Sequence, residues 1–187
     1  MKIYLASSWR NAYQPDVVGQ LRGSGHDVYD FRHPAPGDKG FHWSEIDQGW
    51  REWSVPKYRI GLGHPLAVCG FNNDFSAMQT ADACVLVLPC GRSAHLEAGW
   101  FVGAGKPLLI YVPPPERIEP ELMHKLARLV SDDIGEVIGW LERQARRQAA
   151  PPGVRCASRR VAEAAEAHQM GKGVTERIKN ARPTVDN

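Results

Sequence analysis

Apolar residues follow two rhythms along this chain. The first is the short, unbroken run, seen at residues 2–6 (KIYLA), 83–88 (ACVLVL) and 108–112 (LLIYV). Runs of that length are expected of strands covered on both faces of a parallel sheet. The second is helical spacing. It predicts a helix over 15–22 that buries Val17, Val18 and Leu21, and one from the polar start Asn72-Asn73-Asp74 through Phe75, Met78 and Ala81. A third helix is capped by Ser93 and carries Leu96, Glu97, Trp100 and Phe101. Two more cover 120–130 (Leu122, Leu126, Leu129) and 134–148 (Ile134, Val137, Ile138, Leu141), the last capped by Asp132 or Asp133. Residues 28–31 (VYDF) read as a further strand, and Ile118 and Val130-Ser131 bracket a last short one.

The order is therefore β-α-β at the start, then helix, strand, turn, helix, strand over 71–111. Parallel strands joined by helices bring their carboxyl ends to one edge, where open α/β sheets bind ligands. The turn after the first strand and Glu97, within the first turns of its helix, both fall at that edge. Ser7, Ser8, Arg10 and Asn11, with Trp9 among them, are candidate donors for a phosphate or for sugar hydroxyls. Plain helix capping explains the same residues, and no Gly-rich phosphate fingerprint accompanies them. Asp82, just ahead of the 83–88 run, reads as a brace for the neighbouring turn.

Residues 32–66 are irregular and rich in aromatic side chains, with Ser44 placed to cap a short helix over 45–53. A long segment bounded by Gly and Pro inside a compact domain is commonly a lid or binding loop. Rings there suit stacking on a flat heterocycle, which makes Phe41, Trp43 and Trp53 candidate ligand contacts. A small satellite core is the alternative.

Composition changes this picture in three places. At 187 residues and 43% hydrophobic content, the chain has the size of one domain of about 140 residues with an added segment. No apolar run approaches the roughly 20 residues of a membrane span, and the N-terminus lacks the pattern of a secretory leader. Cys69, Cys84, Cys90 and Cys156 show no CxxC spacing and read as reduced thiols of a cytoplasmic protein. His33, His42 and His64 form no ligand pair, so neither a metal nor a cofactor is expected. Charge is unevenly placed. The last 45 residues hold 10 Lys/Arg against 4 Asp/Glu, a net of +6, which leaves −4 on residues 1–142. An acidic body argues against a nucleic-acid-binding core and leaves open a role for the basic tail. Beyond the break at Pro151-Pro152-Gly153, a helix over 157–169 has a mostly Ala face and is weak alone.

Asn72-Asn73-Asp74, Asp82, the 83–88 strand, Gly91 to Gly99 with Glu97, and Gly105-Lys106-Pro107 together resemble the nucleoside 2-deoxyribosyltransferase family, including relatives that hydrolyse nucleoside 5′-monophosphates. The likeness covers roughly residues 1–112, with a looser match to about 142. It implies a flavodoxin-like α/β fold, a doubly wound five-stranded parallel sheet, with a C-terminal helical extension. Residues 1–150 would be the deoxyribosyltransferase-like domain, and 151–187 a basic, Ala/Arg-rich, helical or partly disordered tail. It also implies a homo-oligomer, a dimer or larger, acting on a small-molecule nucleoside or nucleotide. The family's nucleophilic Glu falls on Glu97. Its Asp that assists base protonation falls on Asp74, and the first-strand aromatic that orients the Glu falls on Tyr4. Transferases of the family often carry an acidic residue six positions before the Glu, where this chain has Gly91. Arg92, Ser93 and His95 follow, and Ser93 stands where monophosphate-hydrolysing relatives have a Ser. A 5′-phosphate is therefore expected around Ser93, with Arg92 and the Ser7–Arg10 turn nearby.

A carboxylate suits attack on a carbon with oxocarbenium character, and a base leaves more readily once protonated. Glu97 and Asp74 fit those two roles. A surface carboxylate stabilised by the helix dipole, and a simple N-cap, are the plain alternatives. Three functions follow in order: N-glycosidic bond cleavage with transfer to water or another base, a non-catalytic sensor of a nucleotide-derived ligand, and a nucleic-acid adaptor led by the tail.

Overall fold

The structure is a computed structural model that describes residues 1–149. The chain divides into two units, Met1–Ala145 and Arg146–Asn187, and the sheet belongs to the first. The expected break at 151–153, the tail helix and Cys156 lie outside the described residues.

Five strands form one sheet: β1 (Lys2–Ala6), β2 (Asp27–Tyr29), β3 (Ala83–Val87), β4 (Leu108–Tyr111) and β5 (Leu129–Ser131). They are all parallel in the order β2-β1-β3-β4-β5, which is the flavodoxin-like doubly wound arrangement. Strand periodicity sorts the core into two layers. Ile3, Leu5, Val85, Val87 and Leu109 face α1 (Gln14–Gly23) and α5 (Ile134–Ala149), whose Val17, Leu21, Val137 and Leu141 cover them. Tyr4, Ala6, Cys84, Leu86 and Ile110 face the other way. There α3 (Pro65–Thr80) and α4 (Arg92–Gly103) supply Met78, Ala94, Ala98 and Phe101.

Four expectations are corrected. The helix expected to start at Asn72 begins at Pro65, because His64 caps it, its Nδ1 accepting from the Leu66 N–H at 3.3 Å. Asp74 therefore lies mid-helix and is not a cap. Ser93 is not a cap either: Gly91 takes that position with extended backbone, and no side chain closes the first turn of α4. The 45–53 helix is two separate 3-10 turns, Trp43–Glu45 and Trp50–Glu52, with α2 (Val55–Leu62) beyond them. Asp47 breaks it, since its carboxylate accepts from the Gly49 N–H at 2.8 Å and the Trp53 indole at 2.7 Å. The 120–130 helix is a 3-10 turn over Leu122–Leu126 followed by β5, and its apolar positions Leu122, Met123 and Leu126 are exposed. Elsewhere the expectations hold with small shifts. Asp82 braces the sheet, accepting from the Lys2 N–H at 2.8 Å, and Asp133 caps α5 through the Gly135 N–H at 2.7 Å.

The aromatic segment packs largely on itself. Trp43 meets Phe41, Trp53 and Tyr58 edge-on, with centroids 4.8, 5.7 and 5.8 Å away. It reaches its neighbouring helices through two glycines: Gly61 lies against the Trp53 ring, and a Cβ at Gly70 would come within 2.8 Å of the Phe41 Cβ. Gly70→Ala is expected to destabilise the protein by about 1–3 kcal/mol through this overpacking, read as a lowered urea midpoint. An unchanged midpoint would mean that Phe41 is not held against α3.

Candidate active site

Two carboxyl groups sit on helix faces that should be apolar. On α3, Asp74 lies on the same stripe as buried Ala67 and Met78. On α4, Glu97 lies on the stripe of buried Ala94, Ala98 and Phe101. Both helices cover the same face of the sheet, so the two stripes converge above β1 and β3. Small side chains at Ala67, Ala94 and Ala98 let the helices approach it closely.

Burial pushes the Glu97 carboxyl up to about 7, and the nearby Asp74 charge adds to the rise, while a hydrogen bond from Tyr4 works against it. Asp74 is likewise raised by burial, and the Tyr29 hydroxyl counters that rise by donating to its Oδ1 at 2.8 Å. Tyr4 and Tyr29 are register partners on adjacent strands, and their rings stack at 5.5 Å and 13°. Burial and the neighbouring carboxylates move both hydroxyls far above the ordinary tyrosine range, so they act as donors only. Cys84 and Cys90 also sense Glu97; burial first and then that carboxylate lift the Cys90 thiol to about 11. The result is a pair of half-buried carboxyls, each served by a tyrosine. Carboxyls whose charges act on one another titrate together, and such a pair can supply a nucleophile and an acid in one place.

The rim is built from the ends of β1 and β3. Asn11 is 2% exposed, and its Nδ2 donates to Ser7 Oγ, Val87 O and Pro89 O at 3.0, 3.2 and 3.1 Å. The Ser7 hydroxyl donates to Val87 O at 3.0 Å, and Ser8 Oγ accepts from the Arg10 N–H. Arg32 closes the bend from below, donating to the carbonyls of Ser8, Trp9 and Asn11 while its guanidinium lies over the Trp9 ring. Trp9 and Arg10 are exposed, as are Gly91, Arg92, Ser93 and His95 at the start of α4. His95 lies 3.5 Å from Cys90 Sγ and stacks on His124.

Among the sequence candidates, the fold brings Glu97, Asp74 and Tyr4 together and sets the Ser7–Asn11 bend and the start of α4 at the same strand ends. Phe41, Trp43 and Trp53 make their ring contacts with one another and with Tyr58. Tyr29 escaped the sequence reading. The signal was a tyrosine in each of two adjacent strands, but only the register makes them partners. Two hollows border Tyr29, one of about 700 Å³ along the outer edge of β2 and one of about 330 Å³ against α3. Neither Glu97 nor Asp74 lines either hollow.

No family model matches the chain, and no curated protein does. Solved structures are similar to it. One is a 2-deoxyribosyltransferase from the psychrotolerant bacterium Bacillus psychrosaccharolyticus, at 24% identity and TM-score 0.44 over 74% of this chain and 90% of the other. Another is the Clostridium botulinum CMP N-glycosidase BcmB, at 15% and 0.40 over 76% and 99%. A third is a conserved protein from Enterococcus faecalis V583, at 13% and 0.48 over 77% and 98%.

Folding should depend on pH through Glu97. Its folded pKa of about 7 exceeds the ordinary value of 4.5, so between those values the unfolded chain gives up a proton that the folded chain keeps. Stability therefore falls as pH rises through that window and levels off above it. Glu97→Gln should match wild type near pH 4 and exceed it by roughly 2–3 kcal/mol at pH 8. Urea melts at both pH values measure this, and a pH-independent difference would contradict the burial of Glu97.

Proposed function

We propose that this protein cleaves the N-glycosidic bond of a nucleoside or nucleoside 5′-monophosphate through a covalent glycosyl intermediate on Glu97. The observation that carries the reading is the half-buried Glu97–Asp74 pair, with Tyr4 and Tyr29 as donors from adjacent parallel strands. The resemblance of roughly residues 1–112 to nucleoside 2-deoxyribosyltransferases supports it.

In the first step the ionised Glu97 attacks the anomeric carbon. A C–O bond forms to the carboxylate, the C–N bond breaks, and Asp74 gives its proton to the departing base. In the second step water, or a second base, attacks the same carbon from the side the first base left. Its proton passes to Asp74, and the sugar leaves Glu97 as a free carboxylate. Two displacements at one carbon retain the anomeric configuration. Tyr4 holds the carboxylate in the attacking orientation, and the packed helices keep water from competing for its charge.

The start of α4 suits an anion. Its first backbone N–H groups have no side-chain cap, and Arg92, Ser93 and Arg10 are exposed near the strand ends. A 5′-phosphate seated there would direct C1′ toward Glu97. This part of the proposal concerns substrate preference and is separable from the chemistry.

Incubation with a panel of nucleosides and 5′-monophosphates, followed by chromatography, should show free base released. Glu97→Ala should lower kcat by at least about a thousand-fold, and Asp74→Asn by about 10²–10⁴-fold, with ligand binding kept. Ligand binding without base release in wild type would favour a sensor and overturn the proposal. Ser93→Ala should lower the monophosphate-to-nucleoside turnover ratio; an unchanged ratio removes the phosphate assignment and leaves the chemistry standing. Adding a second free base separates transfer from hydrolysis.

A further inference from the structure

Asp74 stands in the tenth position of a sixteen-residue helix, where neither a cap nor a helix end holds its side chain. An aspartate there has alternative rotamers that lead its charge out to water. What keeps it on that stripe comes from the edge strand β2, beside β1 on the same face of the sheet. We propose that Tyr29 is a positioning residue of this site: its hydroxyl fixes Oδ1 of Asp74, and its ring, stacked on Tyr4, sets the remaining oxygen toward Glu97.

Three observations carry this. The hydroxyl lies 2.8 Å from Oδ1 across 45 residues of sequence. Tyr29 is the direct register partner of Tyr4, and the two rings stack nearly flat. Tyr4 in turn packs on Phe101 of α4, at 5.6 Å, one turn beyond Glu97. The two carboxyls, borne on different helices, are thus indexed to each other through two adjacent strands. With Oδ1 engaged, Oδ2 is the oxygen left to hold the proton that the leaving base receives. The catalytic consequence rests on the N-glycosidic reading; the positioning itself rests on geometry alone.

The charges facing this cluster come from four sides: Asp74 on α3, Glu97 on α4, Asp30 and Asp38 in the segment after β2, and the thiols of Cys84 and Cys90. Within that field the Tyr29 hydrogen bond favours the charged form of Asp74. Its removal lets Asp74 keep a proton to higher pH. A neutral Asp74 repels Glu97 less, so Glu97 stays ionised to lower pH.

Tyr29→Phe keeps the ring and its stack and removes the donor. Its kcat should fall about tenfold, as expected when a proton donor is mis-set by a fraction of an ångström, with KM little changed. The two carboxyls titrate as a coupled pair, so the limbs of the kcat profile belong to the pair and should move when Asp74 holds its proton more tightly. A loosened core would lower the plateau and leave both limbs in place. In the Asp74→Asn background the same substitution should have almost no further effect. Carboxyl-carbon NMR titration of the full chain should show the Asp74 midpoint raised in Tyr29→Phe. Wild-type kcat with unmoved limbs, full additivity with Asp74→Asn, or an unmoved Asp74 titration would each overturn the proposal. If wild type releases no base from any substrate, the reaction reading falls by itself, and the Asp74 titration alone then decides whether Tyr29 positions it.

Discussion

Two half-buried carboxyls packed against one sheet face are the constraint around which this structure is arranged. An ionised carboxylate moved from water into a protein interior meets a desolvation cost of several kcal/mol, and a second one beside it adds repulsion. Among the described residues, no cation pairs with Asp74 or Glu97 to offset this. What offsets it is a pair of tyrosine donors, with part of the charge given up to protons. The donors are credible because their rings belong to the core: Tyr4 is 1% exposed and stacks on both Tyr29 and Phe101. The geometry of the carboxyls therefore follows the register of β1 on β2, and the site is as rigid as the sheet.

The rest of the fold keeps the two helices from drifting off that register. Lys106 donates through Nζ to the carbonyls of Met78, Gln79 and Ala81, tying the end of α3 to the start of β4 at 3.0, 2.6 and 2.6 Å. A cation at a helix C-terminus also meets the negative end of its dipole. At the opposite end of the strands, Asn11 and Ser7 stitch β1 to the end of β3 just ahead of α4. Each helix that bears a carboxyl is thus anchored by hydrogen bonds to the strand next to it, while the apolar layer behind supplies most of the burial energy.

What the sequence revealed follows from where local signals were strong. The runs at 2–6, 83–88 and 108–112 became β1, β3 and β4 because strands buried on both faces leave no competing pattern. The start of α3 was hidden because its early apolar residues, Leu66, Val68 and Phe71, point outward, so the polar stretch Asn72-Asn73-Asp74 looked like a beginning. The 120–130 segment has helical spacing, yet pairing of Leu129–Ser131 with β4 fixes its end, and a sheet contact outweighs propensity. Glu97 and Asp74 were visible as residues. Their burial was also visible in principle, since each interrupts an apolar stripe at i, i+3 or i+4. Tyr29 was not, because register is a tertiary property. In the aromatic segment both readings stood open in the sequence, and Trp43 and Trp53 have each other, Tyr58 and Gly61 as neighbours, contacts that depend on tertiary packing.

The same physics bears on the choice between a catalyst and a binding module. A pocket that only recognises a nucleotide gains from hydrogen-bond donors and stacked rings, and such groups lose little on burial when paired. A carboxylate held near neutrality by burial and a second carboxylate lowers folding stability above the acid range, and recognition alone does not require it. The cost is intelligible if a proton and a negative charge must be available side by side at neutral pH. Glu97, raised to about 7, is ionised in a substantial fraction of molecules, and the charge it carries is weakly solvated. Asp74, raised by its surroundings as well, is the second ionisable group beside it, so the pair can carry a proton and a negative charge together. A carbon that departs from nitrogen with positive character needs both, first on one face and then on the other, which is why a half-buried pair and not a single carboxylate supports the N-glycosidic reading.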